Sequence, residues 1–215
     1  MEQEGVTKFR LDWNPGPAPE RKIVDEIGGW RDRLVAIGGV GADPLRYGGI
    51  GFGNLSRRVP AGFWITATQT GELAHLDASH YALVCGWEID RNHILAGGPA
   101  RPSSESMTHA AVYAARREAQ YVFHAHLPEL WHHAGILGIP STPAGAEYGT
   151  PGMAHAVGDI AAAASLPCTI RMAGHEDGMI AIGRSARETG EALLVAVARS
   201  ARTGETLQPS RALRR

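Results

Sequence analysis

Cysteine is scarce in this chain. Two residues, Cys85 and Cys168, stand in 215, too few for a disulfide framework, and both lie in apolar runs. An excess of charge of one sign is lacking too. The 21 Lys and Arg against 22 Asp and Glu leave a formal net charge of −1, which excludes the basic footprint of a nucleic-acid binder or of a protein drawn to an anionic membrane. No apolar run approaches the roughly 20 residues that span a bilayer. The stretch Met1-Glu2-Gln3-Glu4-Gly5 is polar and acidic and unlike a secretory signal. The expectations left standing are a small-molecule partner, no nucleic acid, no membrane, and a reducing cytoplasm.

What is there has the alternation of a layered α/β domain. Pro15, Pro17 and Pro19 block helix in residues 1–19, which read as an extended arm. Ile23, Ile27, Trp30, Leu34 and Ile37 have helical spacing between about residues 20 and 40. Residues 38–53 are glycine-rich and must turn. Strands are expected at 62–66 and 80–85, with 88–95 as a hairpin partner. A helix is expected at 104–119, capped by Ser103 or Ser104. The strand 121–126 follows, then a short helix at 127–134 and a Pro- and Gly-rich loop at 136–150. Pro151 opens a further helix to about Ala164. Strands at 169–173 and 179–182 flank a turn, and a last helix ends near Ala201. The chain thus reads as one domain over 20–201 between the arm and a tail at 202–215 that carries no apolar pattern.

The chemistry concentrates in Tyr121-Val122-Phe123-His124-Ala125-His126. In a strand, residues i and i+2 face the same way, so His124 and His126 aim two imidazoles at one point, as a metal requires of two ligands. Burying two such neighbours without a metal or partners is costly. His175, in Gly174-His175-Glu176-Asp177-Gly178, sits in a tight turn between two apolar strands and is the candidate third ligand. His132 and His133 face about 100° apart on their helix, so at most one could join. His75, His80, His93 and His155 carry no signal beyond an ordinary surface or packed histidine. Glu105, at a helix start behind Ser103 and Ser104, has a carboxylate placed for proton transfer beside an anion-binding helix terminus.

Taken in order, Gly53-Asn54-Leu55-Ser56, Thr70-Gly71, Pro102-Ser103-Ser104-Glu105 with His109 four residues on, His124-Ala125-His126 and Gly174-His175 resemble the class II aldolase/adducin family over nearly the whole chain. The resemblance implies a three-layer αβα sandwich with a central mixed, largely antiparallel sheet, assembled as a homotetramer. It implies a divalent metal on His124, His126 and His175, most often Zn2+, with Mn2+, Co2+ or Fe2+ as alternatives. It implies that Glu105 is the acid/base and that Gly53, Asn54, Thr70, Gly71, Ser103 and Ser104 cradle a substrate phosphate. The expected reaction is that of a carbon–carbon lyase, which makes or breaks a bond of a small hydroxy-carbonyl compound through an enediolate. Dehydratase, epimerase and decarboxylase chemistry on the same site are alternatives, as is a non-catalytic adducin-like module. Family members use tyrosines as the second acid, one of them in the C-terminal tail. Here residues 202–215 hold no tyrosine, and that role falls to Tyr148 or Glu147.

Overall fold

A computed structural model describes residues 7–207. The apolar strands and amphipathic helices follow one another as β1 (Arg10–Pro15), α1 (Arg21–Ala36), β2 (Asn54–Val59), β3 (Gly62–Thr66), β4 (Tyr81–Glu88), β5 (His93–Gly98), α2 (Ser106–Ala115), β6 (Tyr121–His126), α3 (Pro128–His133), α4 (Pro151–Ala163), β7 (Cys168–Arg171), β8 (Gly178–Gly183) and α5 (Ala186–Leu207). The strands form one sheet in the order β1-β5-β4-β3-β2-β6-β8-β7. The β1–β5 pair is parallel and the other pairings are antiparallel.

Side-chain alternation along the strands builds two cores. On one face Phe63, Ile65, Val84, Val122, Ile180 and Ile182 meet Met107, Ala110 and Ala111 of α2 and Met153 and Val157 of α4. On the other, Leu55, Trp64, Phe123, Ala125 and Ala181 meet Ile27, Trp30 and Leu34 of α1, Leu130 of α3 and Leu193 of α5. Helices thus cover both sides of a mixed sheet, the αβα sandwich expected from the sequence. Covering both faces makes β6 a buried strand in all six residues, which is why its histidines are held in the interior. The buried stripe of α1 also contains Arg31, one turn beyond Ile27.

Several boundaries differ from the sequence reading. Part of the presumed arm is β1, an edge strand whose burial alternates weakly. The strand β2 escapes a pattern-based reading because Arg57 and Arg58 interrupt its apolar residues. Arg58 bends out to donate to the carbonyls of Ala119, Tyr113 and Arg116, so the strand remains central despite its charge. The helix expected over 104–119 is shorter. Its N-cap is Glu105 rather than Ser103 or Ser104, and Arg116 turns extended to let the chain enter β6. The last helix continues past Ala201 to Leu207. The rest of the expected tail, 208–215, and residues 1–6 of the arm lie outside the described residues.

Candidate metal centre and anion pocket

Strand β6 delivers His124 and His126 to the α2/α4 side of the sheet, because Val122, two residues earlier, packs there. His175 arrives from the turn between β7 and β8, which is closed by bonds from His175 N to the Met172 carbonyl and from Gly178 N to the His175 carbonyl. Ligand atoms of the three histidines lie within 4.8 Å of one another, and all three side chains are buried. The sequence-predicted ligand set is therefore brought together in space.

The donor set fits a cation. His124 Nδ1 is 3.1 Å from the Met179 carbonyl; a carbonyl only accepts, so that nitrogen carries the proton and Nε2 is left with its lone pair outward. His124 Nε2 faces His126 Nε2 at 3.1 Å, close to the separation of about 3.3 Å expected of two nitrogens on one tetrahedral zinc at ~2.05 Å. Burial, first, and the neighbouring His175, second, hold both imidazoles well below the usual histidine range. They are neutral at pH 7, the form that ligates a metal.

Glu105 sits over this cluster. Its Oε1 is 3.7 Å from His175 Nδ1, and the residue is 1% exposed. One helical turn on, His109 is fully buried, and burial lowers its pKa to about 3. Ser56 Oγ lies 2.7 Å from His109 Nδ1 and 2.8 Å from the Tyr113 hydroxyl. These contacts tie α2, and so Glu105, to strand β2. Tyr148 belongs to the same site: its ring centroid is 4.5 Å from that of His175, and its hydroxyl donates to Ser104 Oγ at 2.6 Å. Glu147, the alternative to Tyr148, is exposed, and the Thr150 hydroxyl donates to its backbone carbonyl.

All six residues expected to cradle an anion line one pocket: Gly53, Asn54, Thr70, Gly71, Ser103 and Ser104. The sheet register connects this pocket to the histidine-bearing strand, since Asn54 of β2 pairs with His124 of β6. Asn54 is buried, and its side-chain oxygen has no hydrogen-bond partner among the described residues.

Sequence reasoning missed Tyr47 beside the histidines. The Tyr47 ring lies edge-on to His126 with centroids 4.7 Å apart, and its hydroxyl donates to Asp177 Oδ2 at 2.6 Å. Burial and that bond raise the Tyr47 pKa. Arg46 donates to the Tyr47 hydroxyl and to the His126 carbonyl. Tyr47 and Asp177 are both non-glycine residues at positive φ, 49° and 61°, a costly conformation that clusters at functional sites. A Tyr followed by two glycines in an irregular loop offers no periodic signal by which it could have been found.

The loop 136–150 docks onto the His175 turn. A Cβ on Gly174 would collide with the Ala146 carbonyl, so glycine lets the two backbones touch. Among the described residues, no helix is long and apolar enough to cross a membrane.

No curated protein sequence matches the chain. Solved structures share its architecture. L-fuculose-1-phosphate aldolase from Thermus thermophilus superposes with a TM-score of 0.68 at 18% identity, covering 89% of this chain and 100% of that one. YgbL from Klebsiella pneumoniae, a candidate aldolase/epimerase/decarboxylase, gives 0.64 at 20% identity over 90% and 93%. A sugar-phosphate aldolase from Thermotoga maritima gives 0.60 at 18% identity over 88% and 97%. At such identities the likeness establishes the fold. Residues 45–203 match the family model of the Class II Aldolase and Adducin N-terminal domain, which is most of the chain, and the chain belongs to that family.

Proposed function

We propose that this protein is a metal-dependent carbon–carbon lyase acting on a small, phosphorylated hydroxy-carbonyl compound, a sugar phosphate or close relative. The observation that carries the reading is the buried set His124, His126 and His175 with the Glu105 carboxylate beside it. The adducin-like alternative needs no such set. His124, His126 and His175 would hold a divalent cation; three neutral imidazoles suit zinc, with manganese, cobalt or iron as substitutes. Held there, the cation would supply Lewis acidity toward the substrate carbonyl.

The protein's own residues do the rest. Glu105 takes up and returns a proton at the carbon next to the carbonyl. Tyr148, bonded to Ser104 and packed on the His175 ring, is the second acid. Ser103, Ser104, Asn54 and Thr70, with the backbone at Gly53 and Gly71, bind the phosphate through neutral donors. Burial of Glu105, Tyr148, Ser103 and Ser104 limits water around them. The tetrameric assembly and the cytoplasmic setting belong to the same reading. The Klebsiella protein of the same fold is a candidate epimerase and decarboxylase as well as aldolase, so epimerisation and decarboxylation are the second reading, reached from the same proton transfers.

The test is metal analysis of untagged protein, followed by a screen of phosphorylated ketoses for release of dihydroxyacetone phosphate. We expect one divalent ion per chain and release from at least one ketose. Protein that stays metal-free after incubation with zinc, manganese or cobalt would overturn the reading. Metal-replete protein that epimerises or decarboxylates without release would transfer it to the second reading.

A further inference from the structure

The anion pocket has an unusual lining for its proposed ligand. None of the residues around it carries a charge, yet a phosphate ester carries up to two. Neutral donors alone must then hold a dianion in a partly enclosed space, which is costly unless a cation stands nearby. The structure holds one just outside the wall. Arg31 is 1% exposed on the inner stripe of α1. Its Nη2 donates to the carbonyls of Thr70 at 2.9 Å and Leu73 at 2.7 Å, and its Nη1 to that of Ala74 at 3.4 Å. The carboxylate of Asp32 stands 3.9 Å from Nη1 and is partly exposed.

A buried guanidinium bonded to loop carbonyls is a poor device for stability alone, because desolvation of the charge offsets much of the gain. What these bonds do is fix the turn 70–74. Its other backbone neighbours leave that turn no freedom either. A Cβ on Gly71 would collide with the Gly41 carbonyl and with the Gly51 backbone. Gly41 is in turn bridged to Phe52 by two backbone hydrogen bonds of 2.7 and 3.0 Å. The turn is therefore held between the Arg31 guanidinium and the Gly41–Phe52 bridge. Phe52 also touches the ring of His126.

We propose that Arg31 is a positioning residue for an anionic substrate: it pins the Thr70–Gly71 wall of the pocket and places behind it the positive charge that the lining lacks. This rests on the phosphate reading of the pocket given above. A guanidinium is required because its planar fork reaches several carbonyls at once; a lysine ammonium is a shorter point charge and cannot.

The experiment measures two affinities on the full chain, at a temperature where each variant is folded. Inorganic phosphate is titrated by calorimetry, and cobalt(II) is followed by its visible absorption. Arg31→Lys and Arg31→Met are compared with wild type; Arg31→Lys keeps stem and charge and preserves the fold should Arg31→Met not. We expect both to weaken phosphate binding at least tenfold and to leave cobalt stoichiometry and spectrum unchanged. A purely structural role would lower the melting temperature without that selective loss. Wild-type protein that does not bind phosphate removes the reading of the pocket and this inference with it. Wild-type binding that Arg31→Lys leaves within twofold overturns the inference alone.

Discussion

On one side of β6, Tyr121, Phe123 and Ala125 pack against α1 and α5; on the other, Val122 is followed by His124 and His126. Both sides are buried, but burial acts on them with opposite sign. Removing the Phe123 ring from water contributes to folding at about 25 cal/mol per Å² of apolar surface. Removing the imidazoles costs free energy that only a partner or a bound cation returns. The apolar side and the flanking strands β2 and β8 thus hold the polar side in place. Stability and chemistry are separable on a strand of six residues, and substitutions on its two sides should fail in different ways.

The largest effect is expected at the polar side. His126→Ala leaves two imidazoles, and metal content after dialysis should fall to near zero with loss of activity, while the far-ultraviolet circular dichroism stays native. Retention of a stoichiometric ion would remove His126 from the ligand set. Next comes Glu105→Gln, which keeps shape and removes basicity. It should lower turnover roughly 10²–10⁴-fold, the usual worth of acid–base catalysis, with metal content unchanged. Turnover equal to wild type would pass the role to Tyr148, Glu147 or Asp177. On the apolar side, Phe123→Ala should cost about 3–5 kcal/mol in urea unfolding, and the folded fraction should still bind metal with wild-type stoichiometry.

The smallest effect sharpens the comparison through pH. His109 lies on the polar side, on α2, with a pKa of about 3 against an ordinary 6.5. The unfolded chain therefore binds this proton first as pH falls. The neutral His109 is fully compatible with the fold above about pH 6.5, and stability declines below that value by up to about 1.4 kcal/mol per pH unit. His109→Gln should flatten the stability profile between about pH 6.5 and 5, above the range where carboxylates dominate. An unchanged slope would mean that the ring is hydrated or charged in the folded protein.

The features legible in the sequence are those in which one side-chain pattern decides the matter. His124 and His126 are readable because the strand period is two, and the α1 stripe because Ile23, Ile27, Trp30 and Leu34 keep the helical period. Where two demands compete, the pattern fails. Arg58 sits in a central strand because three carbonyls receive it, a non-local arrangement that no window of sequence contains. Arg31 is hidden for the same reason: on α1 it looks like an exposed charge, and only the 70–74 turn accounts for its burial. The pocket residues are legible as short motifs, yet their convergence depends on the β2–β6 register, and β2 has no clear pattern of its own. Tyr47 lies in an irregular loop at positive φ, where no periodicity marks it.

The docking of loop 136–150 on the His175 turn, where Gly174 meets the Ala146 carbonyl, has a consequence for exchange. The loop 136–150 is bonded to the residues that lead into that turn, Thr142 N to the Arg171 carbonyl, Arg171 N to the Pro140 carbonyl and Ala173 N to Thr142 Oγ1, so it cannot lift without disturbing the turn. Opening of the loop and displacement of His175 would then be a single kinetic event. For a loaded site, the speed at which a chelator strips the ion would report how often that loop opens, so an exchange experiment on the metal doubles as a clock for the protein.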